Sequence, residues 1–309
     1  MKVNSRQALH KKLTQELAAF STKHSLKGAH NSKILSVLVD QLIDSIRRVE
    51  YVYLISSRQM SAAQADPSLP QFDPLKAAIF HRDNGNYNEA FWLTFLAIHF
   101  GKHLKTKWLR VQDVYGALGD KSKIWTWDKV SNSPQDFNHW IISNYKSIRG
   151  GFGNHRKYES MQPTAPRSPV RVVNSYLDWV GPTKCHTSIL NPSINNDPRK
   201  QFEYLYRSMN KVASFGRTAK FDYLTMLGKL DLLEIEPGRT FMQGSTGPGD
   251  GARLLFERNI NAAISNRALE SILIEMEKDL SLGDMGMQVL EDAICNWQKS
   301  PSRYRLFRG

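Results

Sequence analysis

Cysteine is nearly absent from this chain: Cys185 and Cys295 are the only two among 309 residues, and they lie far apart. So sparse a complement excludes a disulfide scaffold and any zinc site built mainly of thiolates, and it fits a reducing cytoplasm. Long apolar runs are missing as well. The most apolar stretch, AFWLTFLAIHF at 90–100, is too short to span a bilayer and contains His99. The first twenty residues, MKVNSRQALHKKLTQELAAF, lack the unbroken apolar centre of a signal peptide. The expectation is a soluble cytoplasmic protein with no membrane partner. Strand-like alternation is scarce, and neither low complexity nor a convincing internal repeat is present, which argues against β architectures, disorder and solenoids.

Several chemical signatures are missing too. There is no GxxxxGK[ST] loop, no GxGxxG behind a strand, no HExxH and no paired CxxC. Kinases of the P-loop type and dinucleotide-binding folds therefore have no support, and no pattern requires a cofactor. His99 and His103 lie four apart, as two metal ligands on one helical face would. The competing reading is a hydrogen-bonded core histidine at 99, because Trp92, Phe95 and Leu96 share its face.

Acidic charge is in short supply. Lys and Arg number 42 against 29 Asp and Glu, a formal net charge of +13 and a pI of about 9.7. A field of that sign attracts polyanions, and nucleic acid is the commonest large one. The cations interleave with aromatic residues instead of forming a tail, which favours DNA or RNA over a merely solvated surface.

What the chain does have is helical periodicity and 41% hydrophobic residues, enough for one large domain or two smaller ones. RQALHKKLTQELAAF and ILSVLVDQLIDSIRRVEYVYLIS carry apolar residues at three- and four-residue spacing. DPSLPQFDP at 66–74 reads as a loop; NYNEAFWLTFLAIHF reads as a largely buried helix behind an Asn cap, ending at Gly101. Ser133 and Pro134 open another helix. Further helices are expected near 171–180, 199–213, 218–233, 250–280 and 284–299. The fold class is all-α. A proline-containing joint at 161–169 suggests two helical lobes around a cleft, 1–165 and 166–309, forming one compact unit.

Four stretches could carry chemistry. RGGFGNHRKYESM at 149–161 leads three glycines into five consecutive polar side chains, His155 to Glu159, and reads either as a site or as a solvated loop. MQGSTGPGDGARLLFE at 242–257 sets glycines before a helix expected to restart around Ala252. Backbone N–H groups and the helix start there suit an anion, as in a helix-hairpin-helix turn on DNA phosphates; the alternative is an ordinary glycine-rich connection. FGRTAKFDYLTML places Arg217, Lys220 and Asp222 at a helix start, where Arg217 can grip a phosphate bidentately or simply be solvated. QVLEDAICNWQK aligns Glu291, Cys295 and Lys299 at four-residue steps, and a part-buried carboxylate there needs a use or a partner.

Taken together, FDPLKAAIFHRDNGNYNEAFWLTFLAIHFGK, WTWDKVSNSPQDFNHWI, FGNHRKYES, FGRTAKFDYLTMLGKL, IEPGRTFMQGSTGPGDGARLLF and LEDAICNWQK resemble the α-glutamyl/putrescinyl-thymine pyrophosphorylase family, most closely its third clade. The resemblance covers roughly 40–300. It implies a DNA-modification enzyme of phage or bacterial systems, working in the host cytoplasm if phage-encoded, with a fold related to helical DNA glycosylases. The implied reaction displaces pyrophosphate from a 5-pyrophosphorylmethyl-uracil in DNA with an amine, from an amino acid or polyamine. The hairpin spacing departs from the usual pattern, since Gly247 follows Gly244 by three and Ala252 follows Pro248 by four.

That chemistry gives the residues roles. A multiply charged leaving group suits His155, Arg156 and Lys157, with Tyr158 and Glu159 positioning a neighbour or the amine. The incoming ammonium must lose a proton, for which Glu291 is the candidate; Asp292 ranks second because it points about 100° away. A base within a duplex must be extruded and stacked, for which Trp125 and Trp127 are candidates, core packing being the alternative. Further DNA or substrate contacts are expected from Arg58, Asn154, Arg217, Asp222, Gly244, Thr246, Gly247 and Gly249. Two other readings use the same surface: a glycosylase-like enzyme excising a modified base, and a non-catalytic DNA-binding module.

Overall fold

The computed structural model describes residues 3–194 and 196–307. Among them the chain is all-α, with fourteen α-helices and one isolated β-bridge between His103 and Lys107. In chain order the helices are α1 (Val3–Ser21), α2 (Ser32–Ser56), α3 (Ala62–Ala65), α4 (Pro74–Asp83), α5 (Tyr87–Phe100), α6 (Leu109–Tyr115) and α7 (Trp127–Asn132). There follow α8 (Pro134–Asn144), α9 (Pro169–Val180), α10 (Pro198–Ser208), α11 (Arg217–Lys229), α12 (Gly247–Glu257), α13 (Asn266–Asp279) and α14 (Gly286–Trp297). No helix among the described residues is long and apolar enough to cross a membrane.

Side-chain caps set many of the boundaries. Asp73 accepts from the amides of Leu75 and Lys76 at 3.1 and 3.3 Å and is followed by Pro74, whose missing N–H costs nothing in a first turn. Asn86 starts α5, Ser168 starts α9, Asp197 starts α10 and Ser265 starts α13 in the same way. Ser133 occupies the cap position of α8 but makes no side-chain cap bond, so Pro134 alone carries that start. The stretch 250–280 is two helices where periodicity suggested one: α12 stops where Arg258 turns left-handed (φ 55°), and α13 begins only after Ser265.

The helices form two compact units. The first joins Met1–Tyr53 to Glu236–Gly309, and the second is Leu54–Ile235. The 161–169 segment, read above as a joint between lobes, lies inside the second unit, where α9 packs back on α8.

The first unit is built around an apolar cluster in which Leu13, Leu17 and Phe20 of α1 join Leu38, Leu42 and Ile43 of α2, Leu255 of α12, Leu269 and Leu273 of α13, and Leu290, Ile294 and Trp297 of α14. Its glycines serve close packing. A Cβ on Gly247 would lie 2.6 Å from Cys295 Sγ, and one on Gly251 would lie 2.4 Å from the Ile294 carbonyl oxygen. Removing the side chain from one stripe of α12 lets it approach α14 backbone to backbone. The helix starts at Gly247, five residues before Ala252, with Pro248 in its first turn.

The second unit has an aromatic interior centred on α5. Phe95 stacks on Tyr176 at 3.7 Å and on Phe215 at 5.0 Å, while Trp92 is surrounded by Trp127, Phe137 and Tyr176. Tyr176 and Tyr223, both fully buried, share a hydrogen bond of 2.7 Å.

Candidate functional site

The glycine-led segment 149–159 packs against the C-terminal end of α5, and its glycines are needed for that approach. Gly150 has φ +75° and a Cβ there would meet the Arg110 amide nitrogen at 2.8 Å; on Gly151 it would meet the His103 ring at 2.8 Å; on Gly153 it would meet Gly101 at 2.9 Å. The Gly153 amide donates to the Phe100 carbonyl at 2.8 Å. Arg149 anchors the entry, donating to buried Asp113 through its backbone amide (2.8 Å), Nε (2.9 Å) and Nη2 (2.7 Å).

The block that follows divides sharply. Asn154, His155, Lys157 and Tyr158 are exposed, and the Lys157 ammonium lies 5.1 Å over the Tyr158 ring. Arg156 turns inward and is only 8% exposed. Its Nε donates to the His99 carbonyl at 3.2 Å, and its guanidinium lies 5.1 Å from the centre of the Phe215 ring. Its Nη2 is buried with no hydrogen-bond partner among the described residues. A buried guanidinium N–H group without an acceptor is costly, which sets Arg156 apart from the exposed cations beside it.

Two carboxylates lie within electrostatic reach of that guanidinium. Glu159 is half-buried, and burial pushes its pKa up against the opposing pull of Arg156 and Arg167; its Oε2 has no partner among the described residues. Asp222, on α11, is also raised by burial, while His155, Lys229, Arg156 and Arg217 all act to lower it. The fold thus gathers His155, Arg156, Glu159, Arg217 and Asp222 from segments some sixty residues apart into one unit. Lys229 joins them because it lies seven residues, about two turns, after Asp222 on α11.

Behind Arg156 sits His99. It is fully buried among Phe95, Phe100, Phe152 and Phe215, and neither ring nitrogen has a hydrogen-bond partner among the described residues. Burial first, and the Arg156 charge second, hold its pKa well below the ordinary value, so it is neutral. The hydrogen-bonded core histidine expected at 99 is thus corrected to one without such a bond. The metal-pair alternative fails as well: α5 ends at Phe100, Gly101 turns with φ +67°, and His103 lies in the turn beyond. Among the described residues no group of three or more His, Cys, Asp or Glu is placed to hold a metal ion.

The remaining candidates lie elsewhere. Trp125 and Trp127 are buried core side chains; Trp127 Nε1 donates to the Lys184 carbonyl at 2.8 Å. Arg58 is exposed beyond the end of α2. Gly244, Thr246, Gly247, Gly249 and Glu291 belong to the first unit. Gly244 has a left-handed φ of 75°, Thr246 is exposed, and Glu291 is half-buried on α14. Asp292 accepts from Arg48 Nη2 at 2.6 Å, Ser45 Oγ at 2.8 Å and Asn296 Nδ2 at 2.9 Å, a structural use of that carboxylate.

A second polar feature of Leu54–Ile235 was not anticipated. A cavity of about 480 Å³ is lined by His81, Asn86, Asn88, Glu89, Thr126, Trp127, Asp128, Ser131, Asn132 and Lys184. At its wall Glu89, 3% exposed, accepts from Tyr115 Oη and the Trp127 amide, each at 2.7 Å, and burial pushes its pKa up to about 7. A single carboxylate in the first turn of the most apolar helix was the available signal. Ten residues of α5 separate Glu89 from His99, about 15 Å along the axis. The cavity and the Arg156 cluster are therefore different places.

Against protein-family models the chain matches alpha-glutamyl/putrescinyl thymine pyrophosphorylase clade 3 over residues 33–309. It belongs to that family. The family's description names thymine as the base and pyrophosphorylase as the chemistry, so the chain is grouped with enzymes of thymine modification. No curated protein and no solved structure matches it.

Proposed function

We propose that this pyrophosphorylase-family chain exchanges pyrophosphate for an amine on a thymine-derived base in DNA, and that the Arg156 cluster is where it does so. The supporting observation is the buried Arg156 guanidinium, its Nη2 without a hydrogen-bond partner among the described residues, set among further cations and two carboxylates whose pKa values burial raises. In the reaction the amine nitrogen attacks the methylene carbon on C5 of the base. The carbon–oxygen bond to pyrophosphate breaks and its electron pair leaves with the pyrophosphate. The amine's proton passes to a carboxylate.

Each group has work suited to its environment. Arg156, with Arg217, His155 and Lys229 around it, stabilises charge growing on the leaving group. Asp222 and Glu159, made more basic by burial, are matched to accepting a proton from an ammonium. Neutral His99 and the surrounding phenylalanines exclude water, which strengthens these interactions.

The test is a product assay. DNA carrying 5-pyrophosphorylmethyl-uracil, incubated with the protein and a panel of amino acids and polyamines, should release pyrophosphate and yield an amine-substituted nucleoside by mass spectrometry. An abasic product without pyrophosphate release would show excision instead, and no covalent change would show a binding module.

A further inference from the structure

Between Gly101 and Leu109 the chain leaves α5 as a short tight turn. His103 and Lys107 pair through both backbone bonds, the His103 amide to Lys107 at 3.0 Å and the return bond at 2.9 Å. The Thr106 amide donates to His103 Nδ1 at 3.1 Å, Lys107 Nζ donates to the Leu104 carbonyl at 2.8 Å, and the Gly151 amide donates to Thr106 Oγ1 at 3.1 Å. So braced, the turn is fixed both internally and to the segment carrying Arg156.

At its tip Leu104 is 77% exposed, more than any other large apolar side chain among the described residues. From Gly101 to Gln112 the sequence holds four cations, Lys102, Lys105, Lys107 and Arg110, and no carboxylate. An isolated surface leucine needs no explanation. One held at the apex of a pinned turn, with exposed Lys102, Lys105 and Lys107 beside it in the chain, is different: the cations attract a polyanion while the apolar tip offers nothing to its phosphates.

Duplex DNA satisfies both requirements. We propose that Leu104 is a wedge, entering the base stack and filling the space from which the target base is withdrawn, while the flanking lysines meet phosphates. The proposal rests on the DNA-base reading above. Withdrawing a base forfeits its stacking and pairing, and inserted leucine is among the side chains that offset such a loss. The turn is also next to the proposed site: a Cβ on Gly101, at its base, would lie 3.2 Å from Arg156 Cγ and 3.1 Å from Gly153.

The experiment uses the full-length protein and a duplex with 5-hydroxymethyluracil beside 2-aminopurine, whose fluorescence rises when its neighbour unstacks. Binding is followed separately by anisotropy. The wild type should bind and raise the fluorescence severalfold at saturation. Leu104→Ala should bind within about threefold of wild type yet lose most of the rise, and Leu104→Met should restore it, since methionine is also found as such a wedge. Wild-type fluorescence from saturated Leu104→Ala, or no rise from the bound wild type, would overturn the wedge alone. A wild type that binds no DNA would overturn the functional reading and the wedge with it.

Discussion

The two units solve the burial of charge in opposite ways. In Met1–Tyr53 with Glu236–Gly309, Asp44 is the one charged side chain among the described residues that is buried. Other ion pairs there are at the surface, such as Arg6 with Asp40 at 3.0 Å and Lys27 with Glu257 at 2.5 Å. Leu54–Ile235 buries Glu89, Asp113, Arg156, Lys220 and Lys229, together with His99 and His186. It also carries 24 Lys and Arg against 15 Asp and Glu, where the first has 18 against 14. Buried charge is costly unless paired or used. Asp113 is paired with Arg149, but the Arg156 Nη2 has no such partner among the described residues. The unit that tolerates this cost is the one in which chemistry is to be sought.

The largest effect expected from that contrast is at Arg156. Arg156→Ala should lower the rate of pyrophosphate release by about a hundredfold or more, the scale of losing one preorganised donor, roughly 3 kcal/mol. Arg156→Lys should recover only part of it, because an ammonium cannot reproduce the planar fork. Circular dichroism checks that both variants are folded. Full activity in the folded alanine variant would show that burial of this charge is structural.

Acid and base should then act on the second unit in a signed way. Glu89 has a folded pKa of about 7, above its ordinary value of 4.5, so its contribution to stability is present below about 4.5 and is lost as pH rises toward 7. The loss is bounded at about 3 kcal/mol by the size of the shift. His186 works in the other direction. Burial pushes it down to about 3, so its contribution is present above about 6.5 and is lost as pH falls toward 3. Chemical denaturation from pH 4 to 8 should therefore show opposing slopes, and Glu89→Gln should remove the loss approaching neutrality. A variant with an unchanged pH profile would rule out Glu89 as its source.

Much of this contrast could not be seen in the chain order. The all-α class, α5 and its Asn86 cap followed from periodicity and cap chemistry, because those signals are local. The unit boundaries did not, since the first unit closes its core by joining residues before 54 to residues after 235. Of the polar block, composition drew attention to His155–Glu159 but could not say that Arg156 turns fully inward and Glu159 partly so while their neighbours stay exposed, which depends on Gly101 and Gly153 meeting across the end of α5. Lys229 was legible in principle, two turns from Asp222, whereas His186 carries no sequence signal: its place is set by distant residues, Asn88 meeting its amide and Nδ1 at 2.9 Å and the Phe91 and Trp127 rings packing on it at 4.8 and 4.2 Å.

Glycines sharpen the comparison at a smaller scale. Gly251→Ala places a Cβ 2.4 Å from the Ile294 carbonyl oxygen, a backbone atom that cannot swing away. Overpacking of this kind should cost about 1–3 kcal/mol. Urea denaturation should register it as a shifted midpoint, with turnover per folded molecule retained. If stability is unchanged, α12 and α14 are not in the close contact that their glycines indicate.

The smallest effects separate one lysine from each unit. Lys27 has a carboxylate partner, Glu257, at 2.5 Å, both side chains being partly exposed, whereas Lys105 is exposed on a turn that holds no carboxylate. An exposed pair contributes about 1 kcal/mol at most, so Lys27→Ala should change stability by no more than that and should leave DNA affinity alone, its charge being already answered. Lys105→Ala should leave stability untouched and act on binding instead. If Lys105 meets one phosphate, the slope of log K against log salt should become shallower by about 0.9, with the same loss for every DNA sequence tried. Titrations at several salt concentrations read both variants on one plot. Equal slopes for wild type and Lys105→Ala would remove this lysine from the DNA surface, and a shallower slope for Lys27→Ala would show that the first unit also meets phosphates.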